Sequence, residues 1–138
     1  MKIGVVVGTF DLFHIGHLNL LKRAKANCDL LIAGVNMDSV VLRDKNKVPV
    51  ICENDRLEII KNISCVSEAF LVENNAPQFI GDLLKKGYSL NFYFRGYEPI
   101  KPNIENENNL IKSMGVDVVQ FPYTDSISTT MIRDKLNK

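Results

Sequence analysis

The chain has 138 residues, of which 46% are hydrophobic and 24% charged, the balance of a single globular domain spanning residues 1–138. Its 17 basic and 16 acidic residues leave a net charge of +1, which removes the sequence-independent electrostatic grip of a nucleic-acid binder. No apolar run approaches a bilayer span and Met1-Lys2-Ile3 enters a strand without a signal-peptide layout, so no membrane partner and a cytoplasmic location are expected.

The first element is an apolar, β-branched run at residues 3–7, the signature of a buried parallel strand. Gly8-Thr9-Phe10-Asp11 follows, then Leu12-Phe13-His14-Ile15-Gly16-His17, and Leu18, Leu21 and Ala24 repeat at helical spacing beyond it. A turn between a buried strand and a helix lies at the carboxyl rim of the sheet, where open α/β sheets bind ligands. Gly8 and Gly16 permit close backbone approach, and the amides that open a helix attract anions. His14 and His17, three residues apart on one helical turn, are the only two histidines of the chain and can meet one phosphate together.

Residues 29–35 form a second buried strand, which ends at the polar Asn36-Met37-Asp38-Ser39, and a right-handed crossover places both strand ends on one rim. Residues 43–50 have little apolar periodicity and read as a surface loop. Asn54-Asp55 offers a cap for a helix with Leu57, Ile60 and Ile63 on one face. Arg56 in its first turn opposes the helix dipole unless an anion lies nearby; the alternative is an ion pair with Glu53 or Asp55.

Residues 66–72 read as a third strand, Asn74-Asn75-Ala76 break it, and Pro77 begins a helix that stops at Gly87. Residues 90–94 are a fourth strand, delivering Arg95 and Gly96 to the rim. The polar stretch 99–109 reads as a rim loop before a short helix at Leu110-Ile111. Residues 116–121 are the fifth strand, and Ser128-Thr129-Thr130 stand at the mouth of a last helix with Arg133 about a turn further on. The three cysteines, Cys28, Cys52 and Cys65, are odd in number and lack metal-ligand spacing, so they read as reduced packing residues. The sum is a doubly wound, Rossmann-like sheet of five parallel strands with helices on both faces and an anion site beside strand one.

His14-Ile15-Gly16-His17 preceded by Gly8-Thr9-Phe10-Asp11, with Ile127-Ser128-Thr129-Thr130 near the end, resembles the HxGH nucleotidylyltransferases. The nearest resemblance is to the bacterial glycerol-3-phosphate cytidylyltransferases, and it extends over nearly the whole chain. It implies that His14, His17, Lys45 and Lys47 serve the transfer. Gly8, Thr9, Phe10, Gly16, Arg95, Gly96, Ser128, Thr129, Thr130 and Arg133 would bind the nucleotide, and Asp11 and Arg56 the acceptor. It also implies CTP and a small phosphate monoester as substrates, Mg²⁺ with the triphosphate and no dedicated metal ligands, and a homodimer.

Two departures bear on specificity. Tyr97-Glu98 stand where those enzymes carry an acidic Gly-Asp-Asp pattern, and Arg95-Gly96 is similar to a step in the pantetheine-phosphate adenylyltransferases. Tyr123 replaces an arginine of the cytidylyltransferases, for which Arg95 or Arg133 would compensate. Three readings follow: a cytidylyltransferase on a polyol or amino-alcohol phosphate, an adenylyltransferase on a sugar phosphate, pantetheine phosphate or FMN, and a nucleotide-binding regulatory module without turnover. In the first two, a phosphate monoester, already ionised at neutral pH because its second pKa is about 6, attacks the α-phosphorus and pyrophosphate leaves without a general base.

Overall fold

The computed structural model describes residues 1–96 and 102–122. Five parallel strands, β1 (Ile3–Gly8), β2 (Leu30–Asn36), β3 (Glu68–Val72), β4 (Phe92–Arg95) and β5 (Asp117–Gln120), form one sheet in the order β3-β2-β1-β4-β5. The chain winds outward from β1 to β3 and then returns to place β4 on the other side of β1. The β1–β4 boundary is therefore the switch point at which the crossover helices change faces.

Alternation along the strands divides the apolar side chains between two cores. Val6, Leu31, Ala33, Val35 and Phe94 turn to the face covered by α1 (Ile15–Ala26) and α3 (Glu53–Lys61), where they meet Leu21, Ala24 and Ile60. Val5, Ile32, Val72 and Tyr93 turn to the face covered by α4 (Ala76–Lys85) and α5 (Pro102–Ser113), where they meet Phe79, Ile80, Leu83 and Ile111. Strands buried on both sides explain why the sequence shows them as apolar runs.

Three expectations are corrected. The segment 43–50 is not all loop: α2 (Asp38–Lys45) continues through Arg43, because Val40 and Val41 bury its inner side and Asn46 ends it in the left-handed conformation at φ 55°. The stretch 99–109 is not a rim loop over its described part, since α5 starts at Pro102, buries Ile111, and turns Glu107 and Asn108 toward Arg95. Cys52 is exposed at the start of α3 and caps it without a side-chain bond, in place of Asn54-Asp55, whereas Cys28 and Cys65 do pack against the α1–α3 core. Among the described residues no helix is long and apolar enough to cross a membrane.

Close packing on β1 has a measurable consequence. A Cβ on Gly4 would lie 2.3 Å from the buried Phe94 ring, whereas one on Gly81 in α4 meets nothing nearer than Met114 Sδ at 3.9 Å. Urea unfolding should show Gly4→Ala losing roughly 1–3 kcal/mol through overpacking, and Gly81→Ala gaining up to about 1 kcal/mol from helix propensity.

Candidate active site

The turn between β1 and α1 stands at the carboxyl end of the central strand. Phe10 and Leu12 adopt positive φ, 54° and 51°, on either side of Asp11. A left-handed residue costs on the order of 1 kcal/mol or more, so the surrounding contacts must hold this turn. Phe10 supplies one of them: it is 3% exposed, and its ring occupies the space beside Gly8, where a Cβ would come within 3.0 Å. Gly8 thus makes room for Phe10, whose side chain belongs to the core, so only the backbone of these two residues faces the turn's ligand side.

His14 is the N-cap of α1, extended at φ −140°, and its Nδ1 accepts the Gly16 N–H at 3.0 Å. In return the His14 N–H donates to His17 Nδ1 at 3.2 Å. Each imidazole therefore spends its Nδ1 lone pair on an otherwise orphaned amide of the helix start. The proton of each neutral ring is then on Nε2, and two N–H donors are left for a ligand. The rings stack with centroids 3.9 Å apart, and His17 is further packed by Phe13 at 5.5 Å and by the Phe10 edge at 5.6 Å.

Burial pushes the His17 pKa down from 6.5 to about 4; His14 and Lys45 add to the effect and Asp11 opposes it. Burial lowers His14 as well. Both histidines are consequently neutral at physiological pH and act as hydrogen-bond donors rather than cations. Positive charge at the site comes from the α1 dipole and from lysine. Lys45, exposed at the last position of α2, lies near enough to His17 to influence its titration, and Lys47 follows in the exposed loop after Asn46.

Asp11 and Arg56 are both buried beneath the turn. Asp11 is 4% exposed and accepts the Val50 N–H at 2.8 Å and the Ile51 N–H at 2.9 Å. Arg56 is wholly buried: Nη1 donates to the carbonyls of Thr9 and Asn36, Nε to that of Ile51, and Nη2 to Asp38 Oδ1. The guanidinium is occupied by the protein itself, and its carboxylate partner is Asp38 rather than Glu53 or Asp55. Asp38 and Glu53, whose carboxylate accepts the Asp38 N–H at 2.8 Å, are framework residues that sequence reasoning missed. The signal available was an arginine and acidic residues in the first turns of successive helices.

Arg95 ends β4 at the rim, with Nη1 on Glu107 at 2.6 Å and Asn108 at 3.2 Å and the guanidinium 5.5 Å from the Tyr93 ring centroid. An anion that takes this nitrogen displaces Glu107. Gly96 follows against Leu20, while Tyr97, Glu98, Tyr123, Ser128, Thr129, Thr130 and Arg133 lie outside the described residues. The structure thus pairs His14 and His17 on the rim beside Gly16, with Lys45 near enough to act on the His17 charge.

A paired-histidine HxGH turn at the switch point of a five-stranded parallel sheet is the arrangement of the nucleotidyltransferase superfamily. The chain belongs to the cytidylyltransferase-like family, whose profile matches residues 5–135. The bifunctional protein HldE of Geobacter metallireducens is 30% identical over 136 residues, 98% of this chain and 27% of that protein. HldE of Helicobacter pylori strain HPAG1 is 42% identical over 77 residues, 55% of this chain and 17% of that protein. The chain thus spans about a sixth to a quarter of the length of these relatives. Among solved structures, the lipopolysaccharide core biosynthesis protein of Thermoplasma volcanium superposes with a TM-score of 0.70 at 29% identity, covering 91% of this chain and 99% of that one. Thermotoga maritima TmcAL, solved with α-thio ATP, shares the fold with a TM-score of 0.73 at 15% identity, covering 99% of this chain and 50% of that one.

The histidine environment sets a pH dependence. His17 titrates at about 4 in the fold against 6.5 when unfolded, so the unfolded chain binds the extra proton between those values. Its neutral form favours the fold above pH 6.5, and stability falls as pH drops through that window, by roughly 1.4 kcal/mol per pH unit at most. His17→Asn keeps an acceptor for the His14 amide but loses this titration. Urea unfolding at pH 7.5 and 4.5 should show the stability gap between wild type and variant narrowing on acidification by about 1–2 kcal/mol; parallel losses would contradict the assigned shift.

Proposed function

We propose that the chain transfers a nucleotidyl group from ATP to a sugar phosphate, releasing pyrophosphate. The observation that carries the transfer reading is the reciprocal histidine cap, which presents two neutral Nε2–H donors at a helix N-terminus beside Lys45. Those donors suit the non-bridging oxygens of the transferred group and the leaving pyrophosphate, where negative charge develops. Lys45 and Lys47 would balance triphosphate charge, and Thr9, Gly16 and the segment from Ser128 to Arg133 would line the nucleotide. No side chain need act as base, since the acceptor is ionised already. Catalysis then rests on alignment and electrostatic stabilisation.

Among the described residues no three His, Cys, Asp or Glu side chains gather as a metal cage. Mg²⁺ belongs in this reading as the triphosphate's own counterion, which suits an ion that binds phosphates with few protein carboxylates. The sugar-phosphate acceptor is supported by likeness to a lipopolysaccharide core biosynthesis protein, and the adenylyl donor by Arg95-Gly96. Glycerol-3-phosphate-like acceptors with CTP are the second reading, favoured by GTFD, HxGH and ISTT together. A homodimer accompanies either reading through resemblance alone.

Pyrophosphate release with Mg²⁺, ATP or CTP, and a panel of sugar 1-phosphates, glycerol 3-phosphate and ethanolamine phosphate tests both. Release with ATP and a sugar phosphate is expected; release with CTP and glycerol 3-phosphate would select the second reading. Nucleotide binding without release from any pair would contradict transfer altogether. In the active pairing His17→Asn should lower turnover by roughly 10²-fold or more, the scale of one lost oxyanion donor, with the fold retained by circular dichroism.

A further inference from the structure

The segment that carries the two lysines is fastened to the turn that carries the two histidines, directly at its end and through Arg56 at its start. At its start, the Asp38 carboxylate receives Arg56 Nη2 and the Asp38 N–H donates to Glu53 Oε1. At its end, the Val50 and Ile51 amides donate to the two oxygens of Asp11, and the Ile51 carbonyl receives Arg56 Nε at 2.8 Å. Arg56 Nη1 meanwhile grips the Thr9 carbonyl at 2.7 Å and the Asn36 carbonyl at 2.8 Å, the ends of the two strands that flank the turn. Between the anchors, residues 42–48 are exposed on the rim. Within this exposed part, Arg43 bonds outward, to Asp44 and Asn74, and not toward the histidine turn.

We propose that Asp11 and Arg56 are positioning residues for the transfer, fixing where Lys45 and Lys47 stand relative to His14 and His17 without themselves touching substrate. A planar guanidinium can donate to three carbonyls and a carboxylate in fixed directions, which an ammonium cannot reproduce. A carboxylate can accept from two successive amides, whereas an asparagine must turn an N–H toward one of them. Asp11 is three residues from His14 in the same turn, so the geometry of lysine to histidine is set through a short and buried connection. This deepens the transferase reading and rests on it for its catalytic part.

The test is a double-mutant cycle in the full chain, with Asp11→Asn as the near-isosteric change and Lys45→Ala as its partner. Pyrophosphate release should fall about tenfold or more in kcat for each single variant, with a smaller change in nucleotide KM for Asp11→Asn. In the Asp11→Asn background, Lys45→Ala should cost less than about threefold, because the lysine is no longer held in place. Multiplicative losses would overturn the proposal and leave Asp11 an independent element of the fold. Arg56→Lys should show the same loss of coupling to Lys45. A second readout needs no turnover: amide hydrogen exchange of Val50 and Ile51 should quicken at least tenfold in Asp11→Asn while β1 and β2 amides keep their protection. Unchanged exchange, or equal quickening throughout, would overturn the proposal even if no substrate pair releases pyrophosphate.

Discussion

Every helix begins with amides that have no partner inside it, and in this protein the first helix solves that problem with the same two side chains that equip its site. His14 and His17 cap one another's backbone through Nδ1, and the act of capping dictates that their remaining protons point away on Nε2. Donor placement is a consequence of this one exchange of hydrogen bonds, while burial of the stacked rings lowers the His17 pKa. The site is thus preorganised before any ligand arrives, with hydrogen-bond donors whose direction is set by the helix.

A second constraint keeps that arrangement in register with the lysine segment. A buried arginine is tolerable only if its donors are satisfied, and Arg56 finds partners at the ends of β1 and β2, before α3 and on Asp38. The residue is therefore a knot among four chain segments. Replacing its partners by water would leave a charge stranded under the site, which explains why so much local geometry converges on it.

The sequence made the sheet legible because strands buried on both faces must be apolar throughout, and the histidine turn legible because a three-residue spacing admits one geometry. It could not show α5, whose inward side carries Glu107 and Asn108 to meet Arg95; polar residues facing a buried arginine look the same in a sequence as polar residues facing water. Nor could it distinguish an arginine bound to phosphate from Arg56, since three of the groups that hold Arg56 are backbone carbonyls that any residue would supply. The end of α2 was hidden for a similar reason: charged Arg43-Asp44-Lys45 mark a solvated surface equally well on a helix or on a loop.

The central claim is that both imidazoles are neutral and protonated on Nε2. Long-range proton–nitrogen correlation spectra read this directly, and a chain with only two histidines makes assignment simple. At pH 7 both rings should give the Nε2–H tautomer pattern with Nδ1 as acceptor, and His17 should keep it down to pH 5. An imidazolium, or a proton on Nδ1 of either ring at pH 7, would contradict the reciprocal cap and the donor geometry built on it.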